Sequence, residues 1–341
     1  MFRLHTSNDA AKLADALGKQ LCAARENPLL PAQVLVPQAG LRRWLQVHLG
    51  EQLGVLANVA FVPPAQFTWD LLRAARPDLP ERSPFDVEVL RWHVYALLGE
   101  RLDGAALTSL RDYLAGGGDP LRRYALALEL ARAYERMQGY RREKLLAWER
   151  GDDAGDWQAE LWRRLLPRVG GVSRAARVDD WLRRFDPEYP PGRFEEKPAP
   201  PGLPQSFACF ACSNVSPDVL RMLAVAGLHC EVDFYLPLPS RGYLGDTPTR
   251  RHEVWQWLRD QRDGNPLITS QGGALAAFIE LLYGYQHVQP DEEIDLFDED
   301  ISRDTLLGRV RDDILKHAAP RTDDRTAQPD ASLQFHACHT P

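Results

Sequence analysis

The sequence predicts an α/β protein built on a parallel sheet, with a long helical segment set into it. Short apolar strand-like runs alternate with amphipathic helices at both ends of the chain. Residues 66–185 between them keep helical periodicity and contain no clear strand. A proline-rich stretch, PEYPPGRFEEKPAPPGLP at 187–204, then returns the chain to the strand–helix pattern. Alternation of this density requires crossover helices and therefore parallel strands.

The elements follow in order. Residues 2–6, FRLHT, read as a strand, and a helix runs from about Asp9 to Glu26 with Ser7 or Asn8 as its cap. QVLVP at 33–37 is a second, buried strand. The next helix carries Leu41, Leu45, Leu49 and Leu53 on one face. In the helical segment, Ser83-Pro84 caps a helix through Leu90, Val94 and Leu97. Leu126, Leu130, Tyr134 and Met137 stripe another, and Trp157, Leu161 and Leu165 a third, over 155–169. Such stripes are ordinary core faces. SFACFAC is a strand, 216–227 a helix, CEVDFYL a strand, and helices follow near 250–263 and 272–285. DEEIDLFDED at 291–300 reads as a solvated acidic loop, before a helix ending near Lys316 and a last strand, LQFHACH. The organisation implied is a sheet-bearing core, 1–70 and 203–341, around an all-α insertion, 71–202. An end at Pro341, just after an apolar strand, reads as a unit cut short.

Composition removes several function classes. No run of 18 apolar residues exists to cross a membrane, and the N-terminus lacks a secretory signal, so a cytoplasmic place is expected. Five scattered cysteines fit a reduced compartment rather than a disulfide framework. The net charge of −7 argues weakly against nucleic acid, yet arginine is dense between Arg111 and Arg184.

Few motifs carry chemistry. A phosphate loop works because glycine amides wrap the phosphate and a lysine reaches its outer oxygens. The first strand–helix turn reads SNDAAKLADAL and has no glycine; Gly18-Lys19 lies inside the helix. Ser7 and Asn8 thus mark a degenerate, non-functional nucleotide loop, and no cofactor is expected in this chain. Cys209 and Cys212 have metal spacing without a second pair, so small buried thiols are the better reading; a metal site at His336, Cys338 and His339 is improbable. No catalytic residue emerges. Arg42-Arg43, Arg122-Arg123, Arg132, Arg136, Arg141-Arg142, Arg163-Arg164 and Arg174 are interleaved with Trp69, Tyr134, Tyr140 and Trp162. Single-strand binders combine such guanidinium and aromatic groups, although exposed helix faces also carry arginine with no ligand.

The opening FRLHTSN, then QVLVPQAGLRRWLQVHLGEQLGVLANVAFVPPAQFTWDLL, resembles the start of the RecC family. Further matches are LRDYL at 110–114, WQAELWRRLL at 157–166, FACFACSNVSP, GNPLITSQG at 264–272, the DILKHA helix and SLQFHACHTP, so the resemblance spans the chain. It implies a P-loop NTPase, RecA-like fold of the superfamily 1 helicase type, degenerate at its nucleotide site. It also implies a non-catalytic subunit of the RecBCD helicase–nuclease (exodeoxyribonuclease V), placed with RecB-like and RecD-like partners that use ATP and Mg, acting at the bacterial nucleoid. Such a subunit channels single-stranded DNA from duplex ends and scans it for Chi during double-strand-break repair. Among residues that the family uses to read Chi, the resemblance carries over Trp69, Arg141, Arg174 and, conservatively, Glu135. Pro37, Ala39, Arg43, Pro63, Arg132 and Arg136 depart from the family pattern, so Arg43, Arg132 and Arg136 are expected to line the channel while reading a different sequence. Two alternatives remain: a scaffold that only docks other subunits, and an active NTPase, which the missing glycine loop disfavours.

Overall fold

The computed structural model describes residues 1–23, 29–115, 119–153, 155–241, 265–285, 290–318, 330–334 and 336. They divide into two compact units, one of residues 1–64, 204–215 and 230–341, the other of 65–203 and 216–229.

The first unit holds a six-stranded, all-parallel sheet of β1 (Phe2–Ser7), β2 (Ala32–Leu35), β3 (Val59–Val62), β4 (Ser206–Phe210), β5 (Glu231–Pro237) and β6 (Glu292–Asp295), in the order β3-β2-β4-β5-β1-β6. Strand β5 is buried over Val232–Leu236, the near-continuous apolar run expected of an interior parallel strand. Helices α1 (Ala10–Cys22) and α2 (Ala39–Leu53) bring Leu13, Leu17, Leu45 and Leu49 against Val34, Phe210 and Tyr235. One polar cluster sits inside. Asp233 on β5 accepts from Arg3 Nε at 2.7 Å, pairs with His5 Nε2 at 2.8 Å, and also receives the Gln20 amide. Burial opposes its ionised form, but the hydrogen bonds from Arg3 and His5 outweigh this and hold the carboxyl below its ordinary range.

Two strands were not foreseen. VAFV at β3 is too short for its period to stand out. Residues 291–300 contain edge strand β6 rather than only a loop: Glu292–Asp295 pair with Arg3–Thr6 of β1. Backbone pairing outweighs the poor strand propensity of the acidic residues, and exposed carboxylates protect a sheet edge from further pairing. Leu333, Gln334 and His336, in the expected last strand, are not in a strand; Phe335 and 337–341 lie outside the described residues, as do 242–264 with the helix expected near 250–263.

The second unit is helical: α3 (Pro64–Ala75), α4 (Val87–Leu98), α5 (Thr108–Ala115), α6 (Pro120–Tyr140), α7 (Arg142–Arg150), α8 (Trp157–Leu165), α9 (Arg174–Phe185) and α10 (Pro217–Gly227). Its core gathers Phe85, Leu90, Val94, Leu130, Tyr134, Trp148 and Trp162. The cap of α4 is Asp86, not Ser83; Ser83 Oγ instead accepts from Phe85 N at 3.2 Å in a turn before the helix. Helix α10 is held by Arg221, whose guanidinium donates to Asp186 at 2.6 and 2.5 Å. The proline-rich stretch is anchored, since Lys197 Nζ donates to the carbonyls of Arg183 and Tyr189 at 2.6 and 2.8 Å. In the first unit, α11 (Pro266–Gln271), α12 (Gly273–Tyr283) and α13 (Leu306–Leu315) complete the α-helices among the described residues.

Candidate nucleic-acid interface

The turn from β1 to α1 is where a parallel α/β sheet would present a phosphate loop. Here its polar groups are already engaged. Ser7 is fully buried; its hydroxyl donates to Leu296 O at 2.9 Å and accepts from Asp9 N at 3.0 Å. Asn8 exchanges two bonds with the backbone of Asp298, donating to its carbonyl at 3.0 Å and accepting from its N–H at 2.8 Å. The helix cap is Asp9, not the expected Ser7 or Asn8, because its carboxylate reaches Ala11 N at 2.8 Å. A side-chain carboxylate therefore occupies the positive end of α1 that a phosphate would need.

Helix α6 builds a different surface. Its inner face buries Ala127, Leu130, Ala131 and Tyr134, which leaves Arg132, Arg136 and Tyr140 at four-residue spacing on the outer face. Tyr140 is 53% exposed. Arg141 follows at the break between α6 and α7, exposed and with no ion pair among the described residues. Arg132 is held loosely by Glu129 at 2.7 Å, with both side chains largely in solvent. Such an exposed pair contributes little and yields readily to a better anion. Arg136 has no carboxylate partner among the described residues.

Other expected residues sit differently. Trp69 is 3% exposed, its indole N–H donates to Pro80 O at 3.1 Å, and Arg177 lies over its ring at 5.7 Å. A ring enclosed this way has no open face for a base. Tyr134 and Trp162 are likewise buried, 5.0 Å apart, so of the four aromatics expected to interleave with arginine only Tyr140 is presented. Sequence spacing marks the helix face and cannot tell a core ring from a displayed one. Arg174 and Glu135 do meet, at 3.1 Å, with the Arg174 backbone N–H bonded to Gln138 Oε1 at 2.9 Å. Arg142 is tied to Asp218, and Arg163 and Arg164 to Glu160. Arg43 belongs to the other unit, exposed on α2. Cys209 and Cys212 are free buried thiols, and the described residues contain no group of three or more candidate metal ligands.

The model of the RecC N-terminal domain matches residues 2–317. The chain belongs to the RecC N-terminal domain family. It is 28% identical to RecBCD enzyme subunit RecC of Escherichia coli K12 over 93% of this chain, 23% identical to that of Haemophilus influenzae over 100%, and 27% identical to that of Mycolicibacterium smegmatis over 99%. It spans about a third of these relatives, 32%, 35% and 30% of their lengths respectively.

The helical unit also displays aromatic residues outside the expected arginine–aromatic set. Trp92 is 53% exposed and lies 5.6 Å from Tyr124, with Arg91 5.3 Å over its ring; Arg123 stacks at 3.9 Å on Tyr95. The signal was available. Leu90, Val94 and Leu97 define the buried stripe of α4, and Trp92 falls off it, where a tryptophan has no packing reason to be.

Proposed function

We propose that this chain is a non-catalytic, DNA-handling portion of a RecBCD-type helicase–nuclease, guiding single-stranded DNA and scanning it for Chi in double-strand-break repair. In this reading its α/β unit is a superfamily 1 helicase-like core that has lost nucleotide binding. RecB-like and RecD-like subunits supply ATP-driven movement. The observation that carries the strand-binding part is the outer face of α6. There Arg132, Arg136 and Tyr140 stand in a row beside Arg141, guanidinium groups for phosphates and a ring for a base. Loss of nucleotide binding is supported by the β1–α1 turn, which lacks glycine and whose Ser7 and Asn8 side chains are already bonded to residues 296 and 298.

A reading in which the arginines serve only subunit docking draws support from Arg132 and Arg174, both paired with carboxylates. Salt dependence separates the two. Binding of a fluorescent single-stranded oligonucleotide to the full chain is measured by anisotropy across a salt series. Removing one cation that neutralises a phosphate makes the slope of log K against log salt shallower by about 0.7. Arg132→Glu with Arg136→Glu is therefore expected to weaken binding and flatten the slope by roughly 1.4, and unchanged affinity and slope would remove the α6 surface from the proposal.

A further inference from the structure

A cleft of about 100 Å³ opens in the helical unit between the end of α3 and α9. That is room for several waters, or for one tetrahedral oxyanion. Its polar lining is Arg76, Arg177, Asp180, Trp181 and Arg184, set among apolar side chains such as Leu72 and Val172.

The polar groups are not equivalent. At the exposed mouth, Arg76 is paired with Asp78 at 3.2 Å and Arg184 with Asp180 at 3.2 Å. Deeper in, two donors have no acceptor. Trp181 is 1% exposed, and its buried indole N–H has no hydrogen-bond partner. Arg177, one turn earlier on the same face of α9, has a buried Nη1 without a hydrogen-bond partner and no ion pair within 4.0 Å among the described residues, with Asp78 acting on it only at longer range. Its guanidinium lies 5.7 Å from the Trp69 ring and 6.0 Å from that of Phe85. Buried tryptophan N–H groups ordinarily find acceptors, and a guanidinium left unmatched carries a desolvation cost. Two such groups four residues apart, on residues that line one cleft whose mouth carries two Arg–Asp pairs, describe donors available to an anion.

We propose that this cleft is an oxyanion site that takes a single phosphate group, with Trp181 Nε1 and Arg177 as the inner donors and Arg184 and Arg76 as the outer cations. Burial holds the Arg177 pKa below its ordinary value, the direction expected of a cation waiting for its counter-ion. The phosphate is either a free one or a phosphodiester of a bound strand. The site does not depend on strand binding at α6, since inorganic phosphate alone tests it.

The measurement is the indole ¹⁵N–¹H resonance of Trp181 in the full chain, identified by its disappearance in Trp181→Phe. Sodium phosphate is titrated against sodium chloride at constant ionic strength. A saturable shift of that resonance is expected, with the indole signals other than that of neighbouring Trp69 unmoved, and Arg177→Met should raise the apparent Kd by about tenfold or more, as loss of a charge-assisted donor does. A short single-stranded oligonucleotide forms the second arm. The same shift with both ligands assigns the site to a strand phosphodiester as well; a shift with phosphate alone assigns it to the free ion. A wild-type resonance that does not move saturably overturns the site, whatever the variants do. An identical titration in folded Arg177→Met also overturns it, and leaves the cleft to water.

Discussion

Asp186→Asn tests the strongest buried ion pair of the helical unit. Asp186 is fully buried and Arg221 is 9% exposed, and the two share bonds of 2.6 and 2.5 Å that fasten α10 to the end of α9. Removing one charge of a buried pair costs about 3–5 kcal/mol, because the remaining ion stays desolvated and unmatched. Two features place this case at the lower end. Glu188 still reaches Arg221 at 3.1 Å, and the asparagine oxygen keeps the bond that Asp186 Oδ1 accepts from Glu188 N at 3.0 Å. A loss of about 3 kcal/mol is therefore expected, read as a lower urea midpoint at constant slope. Adding Arg221→Met removes the stranded cation and fills its volume with an apolar chain, so the double variant should recover part of the loss, with a coupling of about 1–3 kcal/mol. A single-variant loss under about 1 kcal/mol, or a double variant no more stable than Asp186→Asn, would refute the claim that this pair holds α10 in place.

Trp69→Ala should destabilise the chain by about 3–5 kcal/mol through the cavity it leaves, and any accompanying loss of strand binding should track unfolding. Trp69→Phe, which keeps most of the ring volume, should bind oligonucleotide like the parent; a folded Trp69→Phe that loses binding would show direct base contact. Burial pushes the Asp218 carboxyl up to about 6 from 3.8, against the opposing pull of Arg142 and Arg174. The folded chain then holds that proton more tightly than the unfolded chain, so this contribution to stability is greatest below about pH 4 and falls as pH rises to about 6, by at most about 3 kcal/mol. Urea midpoints at pH 4 and 6.5 should show that fall in the parent and a smaller one in Asp218→Asn; equal falls would assign the effect elsewhere.

What could be read from the sequence depended on whether a residue's role was set locally. The stripe Leu126, Leu130, Tyr134 and Met137 announced α6 because a 3.6-residue period fixes a face before anything packs on it. The missing glycine between Ser7 and Leu17 was equally plain. Strand β6 was hidden because its pairing with β1, nearly 290 residues earlier in sequence, decides its structure while its own composition argues for a loop. The same limit governs the candidate site. Arg132 and Tyr140 lie where their own helix puts them, on the side away from its buried residues. Trp69, Arg163 and Arg174 are committed by partners outside their own helices: the carbonyls of Pro80, of Trp148 and Asp152, and the Glu135 carboxylate. Composition cannot separate a guanidinium that is already engaged from one that is free.

The β1–α1 turn satisfies its own hydrogen-bonding groups without any ligand. A phosphate loop leaves the first N–H groups of its helix for the ligand, so without ligand those donors need another acceptor. Here Asp9 caps Ala11 N, Ser7 Oγ accepts from Asp9 N, and Asn8 ties the turn to the chain leaving β6. Lys12, which faces solvent, pairs with Asp298 at 3.3 Å. The N–H groups of Asp9 and Ala11 are taken by the protein's own side-chain oxygens, and the Asp9 and Asp298 carboxylates stand beside the turn. Introducing glycine into this turn would therefore not create nucleotide binding. It would add backbone freedom, while the Asp9 and Asp298 carboxylates would still repel the phosphate that the turn had been opened to receive.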